Sequence, residues 1–421
     1  MTQQSQAQLE ARKAAYSTPL DEIDVSRTEY HLDDSFWPYF ERLRAEAPVH
    51  YCKASRYGPY WSITKFQDIV AVETNTKVFS SQPQYGGISI NDANELQAMP
   101  TFIQMDPPDH AARRNAVTPA LTPSSLLKFE KLARERTAEA LEALPIGQTF
   151  DWVELVSKNL TTQMLATLYD FPWEDRHKLP FWSDVANALP GMGLIDSEQH
   201  RMQILGEMAQ YLMQLWTERQ TAAPRSDLIS ILAHNPTMRD MSPAEFIGTF
   251  ALLTVGGNDT TRNSMTGGLL ALNEHPAEYE KLCADPTLTR TSLVPEIVRW
   301  QTPVAHMRRT ATEDAEIGGQ RIAKGEKVVM WYVSGNRDGD VIPDAESFLI
   351  DRKNARHHLG FGFGIHRCVG NRLAELQLRI LWEELIKRWP RPMQIEVMGV
   401  PRRTPSCFIR GYESLPVRIV R

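Results

Sequence analysis

The chain lacks the features that identify several large classes of protein. Its four cysteines are scattered over 421 residues with no Cys-x-x-Cys pair, which argues against a zinc site or a disulfide framework and fits a reducing cytoplasm. No apolar run reaches about 18 residues and the polar N-terminus has no signal-peptide pattern, so no transmembrane anchor is expected. A net charge of -6 and an isoelectric point near 6.0 give no indication of nucleic-acid binding.

The most informative stretch runs from Phe361 to Gly370 and contains three glycines, two phenylalanines, one histidine and one cysteine. It directly precedes an amphipathic helix that we predict over residues 371–387. A thiol at a helix N-terminus meets the positive end of the helix dipole, which favours the thiolate, and glycines let backbone approach a flat ligand. The pattern indicates that Cys368 is the thiolate ligand of a haem iron. The alternative is a glycine-rich turn around a structural cysteine.

A long helix is predicted from Pro243 to His275. Ser242 is a suitable N-cap, Pro243 suits the first helical position and Glu245 completes a capping box. A helix of this length is on the order of 50 Å long, enough to cross the whole molecule.

Gly256 and Gly257 lie in the middle of this helix, where each glycine costs about 1 kcal/mol relative to alanine. A helix that crosses close over a haem face would need both missing side chains to leave room for dioxygen. Asp259 and Thr260 follow, and the Thr260 hydroxyl can contact the Gly256 carbonyl one turn back. The alternative is that Asp259 and Thr260 are ordinary polar residues on a solvated helix face.

Two further segments complete the pattern. Glu296 and Arg299 are three residues apart, so they share a helix face and can pair, although an exposed ion pair is the common meaning of such spacing. His110 and Arg114 lie one turn apart on another predicted helix.

In order and separation, these four segments resemble the cytochrome P450 haem-thiolate monooxygenases, from about Val49 to the C-terminus. The resemblance implies a mainly α fold with a smaller β-rich lobe, a long central helix over the haem, and a haem b cofactor. It implies an enzyme that uses O2 to insert one oxygen atom into an unactivated C–H bond.

The resemblance also assigns roles to individual residues. Asp259 and Thr260 would relay protons during dioxygen activation, and Glu296 and Arg299 would form a structural pair on the cysteine side of the haem. The remaining residues would bind the cofactor, with four cations or imidazoles at the propionates (His110, Arg114, Arg309, His366) and five residues around the ring and iron (Gly256, Gly257, Phe361, Cys368, Gly370).

Residues 351–379 contain six basic and two acidic residues, a net +4 on an acidic chain. A basic surface around the cysteine loop suits the docking of an acidic electron carrier, whereas the plainer interpretation is a solvated basic face. The chain has no flavin or iron–sulfur motif. The resemblance therefore implies a 2Fe-2S ferredoxin served by an FAD-dependent ferredoxin reductase.

The substrate is expected to be a hydrophobic small molecule. The segments around Thr260 and Cys368 resemble the bacterial branch that hydroxylates terminal carbons of alkanes and fatty acids, and the family positions that line the pocket are apolar here (Leu252, Val255, Val304, Phe408). A medium-chain alkane or fatty acid, attacked at or near its end, is therefore expected. Two alternatives remain: a terpene or other biosynthetic intermediate, and a haem-thiolate sensor without turnover, against which a proton relay argues.

The expected organisation is one domain over residues 21–421 after a flexible tail over residues 1–20. We expect a β lobe built from residues 48–80, 309–335 and 395–421, with helices elsewhere. Within it, Val49–Cys52 should pair with Tyr60–Ile63, and residues 408–412 should form a terminal hairpin with residues 415–419.

Overall fold

The computed structural model describes residues 3–92, 100–188, 190–191 and 193–420. Its α-helices are α1 (Gln3–Ser17), α2 (Thr28–Leu32), α3 (Trp37–Glu46), α4 (Phe66–Thr74), α5 (Asp109–Val117), α6 (Pro123–Glu142), α7 (Asn159–Tyr169), α8 (Lys178–Asn187), α9 (Glu198–Thr221), α10 (Leu228–His234), α11 (Pro243–Glu274), α12 (Pro276–Ala284), α13 (Leu288–Thr291), α14 (Leu293–Gln301), α15 (Tyr332–Gly335) and α16 (Asn371–Arg388). The strands are β1 (Val49–Cys52), β2 (Tyr60–Ile63), β3 (Phe79–Ser80), β4 (Thr149–Asp151), β5 (Met307–Ala311), β6 (Ala315–Ile317), β7 (Gln320–Ile322), β8 (Lys327–Met330), β9 (Ile395–Val397), β10 (Arg402–Arg403), β11 (Tyr412–Ser414) and β12 (Pro416–Ile419). The fold is mainly α with a smaller β lobe, as the sequence predicts.

The main sheet has five strands in the order β1-β2-β8-β5-β3. β1 and β2 pair antiparallel, with Val49 opposite Ile63, which confirms the predicted pairing. β2 and β8 are parallel, and β8 pairs antiparallel with β5. The sheet therefore joins residues 49–80 with residues 307–330 and places β5, with Arg309, beside the central cavity.

Residues 395–421, expected in the same lobe, form other sheets instead. β12 lies between β4 and β9, and β10 pairs with β11. The predicted terminal hairpin is therefore wrong: residues 415–419 pair with β4 and β9, and Ile409 bridges to Val304. Alternation along a strand indicates which face is buried but not which strand is the partner, so the sequence could not distinguish these pairings.

The N-terminal segment differs from the expected loose tail, because α1 begins at residue 3 and docks on α3. Ala15 is fully buried, and Arg42 of α3 donates hydrogen bonds to the backbone carbonyls of Ala15 and Thr18 at 2.8 and 2.6 Å. Arg12 pairs with Glu41 on the exposed side. These polar contacts give no hydrophobic period that the sequence could have revealed.

The long helix is confirmed as α11, which ends one residue before the predicted His275. The Ser242 hydroxyl accepts a hydrogen bond from the Glu245 backbone, and the Glu245 carboxylate accepts one from the Ser242 backbone, so the capping box is complete. α11 crosses two helical cores, with Phe246 in one and Leu269 in the other. Its glycine-containing middle faces the cavity between them. In the part of the chain that the structure describes, no helix has the length and apolarity to cross a bilayer.

Candidate active site

An apolar cavity lies between the middle of α11 and the loop that precedes α16. The α11 residues that line it share one face of the helix: Leu252, Leu253, Gly256, Gly257, Thr260, Thr261 and Ser264. The opposite side is formed by Gly360, Phe361, Gly362, His366, Cys368, Val369 and Gly370. The structure thus brings the two most distinctive sequence segments to opposite walls of one slot.

The loop around Cys368 is held by its own backbone. The Cys368 N–H donates to the Phe361 carbonyl at 2.8 Å. Gly364 has a φ of +62°, and a Cβ atom there would lie 2.6 Å from the Glu73 carbonyl oxygen. Glycine is therefore required where the loop presses on the end of α4.

The protonation of Cys368 reflects competing effects. Burial raises the pKa of the Cys368 thiol, and it outweighs the Gly370 backbone hydrogen bond and the positive charges of Arg114 and Arg367, which lower it. Desolvation therefore opposes the effect of the helix N-terminus, which was expected from the sequence to favour the thiolate. A metal cation bound at the sulfur would provide a thiolate.

The four predicted propionate partners all line this cavity: His110, Arg114, Arg309 and His366. The imidazole rings of His110 and His366 lie 4.6 Å apart between centroids, and burial lowers the pKa of both, that of His366 to about 2. Among the described residues, neither the buried His110 Nε2 nor the buried His366 Nδ1 has a hydrogen-bond partner.

These observations test the fit to haem. Buried polar atoms without partners are uncommon in folded proteins, and an absent ligand or ion is one of their explanations. Two such nitrogens and two guanidinium groups line the same slot as Cys368, and glycines flatten both of its walls. The donor set matches a flat cofactor with two carboxylates and one metal ion, so the residues present fit haem.

Sequence reasoning missed the residues behind His366. Its Nε2 lies 3.3 Å from the Ser81 hydroxyl, and that hydroxyl donates to Asp106 at 3.0 Å. Ser81 and Asp106 thereby fix the imidazole ring. The position of Asp106, four residues before His110, was the only available signal.

Glu296 and Arg299 form the predicted pair, fully buried, with Arg299 Nε and Nη2 donating to the carboxylate at 2.8 and 2.7 Å. Arg299 also donates to three backbone carbonyls, those of Asn336, Ala345 and Ser347. Arg352 adds a second cation, 2.9 Å from Glu296. This cluster fixes the segment between α15 and the cysteine loop, and the sequence had treated Arg352 only as a surface charge.

The two glycines of α11 have different surroundings. A Cβ atom on Gly256 would meet nothing within 4 Å, so Gly256 opens directly onto the cavity. A Cβ atom on Gly257 would lie 3.0 Å from Leu165 of α7, so this glycine also allows close helix packing. Of the two glycines, only Gly256 has the expected role of leaving the cavity beside α11 open.

Thr260 lines the cavity and its hydroxyl donates to the Gly256 carbonyl at 2.6 Å, as predicted. Asp259 lies beyond the edge of the cavity-facing stripe. Its carboxylate is 3.0 Å from Arg262 and accepts from Asn258 at 3.2 Å. Arg262 is held in turn by Asp184 of α8 at 2.9 Å. The acid and the hydroxyl are adjacent in sequence but belong to different surroundings.

Of the four predicted pocket residues, Leu252 and Val304 line the cavity. Val255 and Phe408 are absent from its described lining, which corrects the prediction for both. Val255 is one turn before Asp259, off the cavity-facing stripe, and the Phe408 ring packs on His306 with centroids 5.2 Å apart. Other apolar residues line the cavity instead, among them Phe102, Ile103, Leu253 and Met307. Residues 93–99, which precede Phe102 in the chain, lie outside the described residues.

The predicted basic surface is only partly available. Arg352 is buried against Glu296, Arg356 pairs with Glu375, and Arg379 pairs with Glu130 and Glu383. The other three basic side chains of residues 351–379 are exposed, without a carboxylate in ion-pair distance among the described residues: Lys353, Arg367 and Arg372.

Comparisons with known proteins agree with this geometry. The family model for cytochrome P450 matches residues 288–398. A linalool 8-monooxygenase from Pseudomonas putida is 37% identical over 410 residues, covering 95% of this chain and 100% of the relative. A methyl-branched lipid omega-hydroxylase from Mycobacterium tuberculosis is 31% identical, covering 95% and 96%.

Solved structures show the same relationship. CYP153D17 from Sphingomonas sp. PAMC 26605 is 46% identical with a TM-score of 0.88, covering 96% of this chain and 100% of that one. Cytochrome P450-153 from Novosphingobium aromaticivorans is 45% identical with a TM-score of 0.87, covering 94% and 99%. The residues that line the cavity between α11 and the Cys368 loop fit a haem, and the chain belongs to the cytochrome P450 family: it is a haem b monooxygenase.

Proposed function

We propose that this monooxygenase hydroxylates medium-chain alkanes or fatty acids at or near the chain terminus. The observation that carries the proposal is the wall around Thr260, which is formed by apolar side chains such as Leu252, Val304 and Met307. The charged side chains in the described lining are those of Arg114 and Arg309, on the propionate side. A hydrocarbon end can therefore enter without leaving a polar group unpaired.

The site residues would have distinct roles in this reaction. Cys368 would ligate the iron, and His110, Arg114, Arg309 and His366 would bind the propionates. Bound haem supplies dioxygen activation and the insertion of one oxygen atom into a C–H bond. The chain's own contribution is to exclude water from the apolar wall and to deliver protons.

We assign proton delivery to Thr260 and Asp259. The Thr260 hydroxyl faces the cavity and donates its single hydrogen to the Gly256 carbonyl, so its oxygen is left to accept from a water that would deliver a proton there. Asp259 would resupply that proton from the polar cluster with Arg262 and Asp184 behind α11. A haem sensor without turnover would need neither group.

A terpene or another biosynthetic intermediate is the second candidate. The match to a linalool 8-monooxygenase favours it. The match to a methyl-branched lipid omega-hydroxylase and the resemblance of the Thr260 and Cys368 segments to the alkane and fatty-acid branch favour a chain end.

A binding panel distinguishes these candidates. Linear alkanes and fatty acids of graded length and linalool are added to the oxidised holoenzyme, and the haem spin-state change and the hydroxylated products are measured. The proposal predicts binding and terminal products with the linear chains. Binding of linalool alone, or hydroxylation only at internal carbons, would contradict it.

We further propose that a 2Fe-2S ferredoxin, reduced by an FAD-dependent reductase, supplies the electrons in the cytoplasm. All four cysteines are free thiols, which suits a reducing compartment. Lys353, Arg367 and Arg372 are exposed near the Cys368 loop and offer positive charge to an acidic carrier. Turnover at limiting ferredoxin should fall steeply as salt rises, and the Arg372→Glu variant should flatten that dependence. Insensitivity to salt in the parent enzyme would contradict electrostatic docking.

A further inference from the structure

Glu73 is a buried carboxylate that none of the sequence motifs includes. It lies in the last turn of α4 and its side chain is only 1% exposed. Its backbone carbonyl presses on Gly364 of the cysteine loop. Glu73 thus stands at the junction between α4 and the loop that carries the iron ligand.

The Glu73 carboxylate holds two side chains of the haem cavity. Its Oε2 accepts a hydrogen bond from Arg309 Nη2 at 2.7 Å, and its Oε1 accepts one from the Tyr332 hydroxyl. Arg309 Nη1 donates to the Arg308 carbonyl at 2.7 Å, which leaves other N–H groups of the same guanidinium for a ligand. Arg309 and Tyr332 line the cavity, whereas Glu73 lies behind them.

This arrangement has an electrostatic consequence. Arg309 and Glu73 together carry no net charge, although Arg309 alone would present a full positive charge to the cofactor. Both side chains are at most 2% exposed, so solvent screens them little and their charges act strongly on a neighbouring redox centre. Reduction of a haem adds one electron, and a nearby carboxylate disfavours that step.

We propose that Glu73 is a positioning residue that fixes the Arg309 guanidinium for a haem propionate, and that its negative charge lowers the reduction potential of the haem. The first effect predicts slower loss of haem, and the second predicts a potential that depends on the charge at position 73. A merely structural role would affect stability but not the potential.

The test uses the holoenzyme and the Glu73→Gln variant, which keeps the shape and removes the charge. A spectroelectrochemical titration should show a higher midpoint potential, by about 59 mV for a roughly tenfold shift toward the reduced form. Transfer of haem to excess apomyoglobin should become several-fold faster. Tyr332→Phe keeps the carboxylate charge and should leave the potential at or slightly below the parent value.

Glu316→Gln, on the exposed strand β6, is the matched control for loss of a distant charge and should change neither quantity. An unchanged potential in Glu73→Gln, or an equal shift in Glu316→Gln, would overturn the proposal.

Glu73→Gln leaves Arg309 buried without its counter-ion and could prevent folding. The double variant Glu73→Gln/Arg309→Gln removes both charges and is compared with Arg309→Gln. The double variant should have the higher midpoint potential, which corresponds to a roughly tenfold higher ratio of reduced to oxidised haem at a given applied potential. Equal potentials in these two variants would also overturn the proposal.

Discussion

The two walls of the haem cavity are built in opposite ways. On the cysteine side, Glu296, Arg299 and Arg352 form a buried charged cluster with backbone carbonyls of the segment before the Cys368 loop. On the α11 side, the lining is uncharged: Leu252 and Leu253 are followed by two glycines and by Thr260, Thr261 and Ser264.

The difference shows how one cavity can combine a fixed cofactor with an adaptable substrate space. Directional hydrogen bonds to buried ions allow one geometry only, because a displaced charge loses its partners in a region without water. Apolar contacts are not directional, so the opposite wall tolerates changes of shape at low cost. The predictions below should therefore change stability on one side and chemistry or selectivity on the other.

The largest effect is expected on the cysteine side. Glu296→Gln removes the only carboxylate that Arg299 contacts among the described residues and leaves two buried cations unpaired. Such losses cost about 3–5 kcal/mol, so the free energy of unfolding in urea should fall by that amount and the haem content should drop. Glu413→Gln breaks an exposed pair with Arg402 and should cost no more than about 1 kcal/mol. Similar losses in both variants would remove the contrast between the two walls.

Asp259→Asn should slow turnover by about 10²-fold, because an amide cannot supply protons to Thr260. Its free energy of unfolding should change less than that of Glu296→Gln, since Arg262 keeps its ion pair with Asp184. The rate of product formation in a single turnover of pre-reduced enzyme measures the step that depends on this proton supply. Parent-like rates would show that protons enter by another route.

Thr260→Ala should still consume electrons, but a several-fold larger share of those electrons should form hydrogen peroxide. Without the Thr260 hydroxyl, which is fixed by its bond to the Gly256 carbonyl, the cavity loses the group that would position the proton-carrying water. The ratio of product formed to reduced nicotinamide consumed is the measurement. Thr261→Ala, which removes the neighbouring cavity hydroxyl, is the matched control and should retain coupling. Unchanged coupling in Thr260→Ala would contradict the assignment.

The smallest effect concerns the substrate wall. Leu252→Phe narrows the cavity and should shift the preferred chain length a few-fold, as measured with mixed substrates in competition. Val255→Phe introduces the same side chain three residues later on α11, off the cavity-facing stripe, and should leave the preference unchanged. A changed chain-length preference in Val255→Phe, with none in Leu252→Phe, would contradict the positions of these two residues relative to the cavity.

The sequence predicted the cysteine side better than the substrate side, for physical reasons. Cys368, Gly364, Glu296 and Arg299 are each demanded by one local requirement, whether a ligand, a positive φ or a helix-face pair. α11 was similarly predictable because its capping box is local.

The remaining features depend on contacts between distant segments. The partner of β12, the docking of α1, the pairing of Arg352 with Glu296 and the contact of Glu73 with Arg309 all join residues far apart in the chain. Asp259 shows a subtler case: its place in the sequence suggested the cavity, but one step of about 100° around the helix from Thr260 turns it toward Arg262.

The central claim is that the Cys368 sulfur binds haem iron as a thiolate. The most direct test is the absorption spectrum of the reduced holoenzyme with carbon monoxide, recorded for the parent and for Cys368→His. The account predicts a thiolate-type spectrum for the parent and a histidine-type spectrum for the variant. A histidine-type spectrum in the freshly purified parent enzyme, or a parent protein that retains no haem after reconstitution, would contradict it.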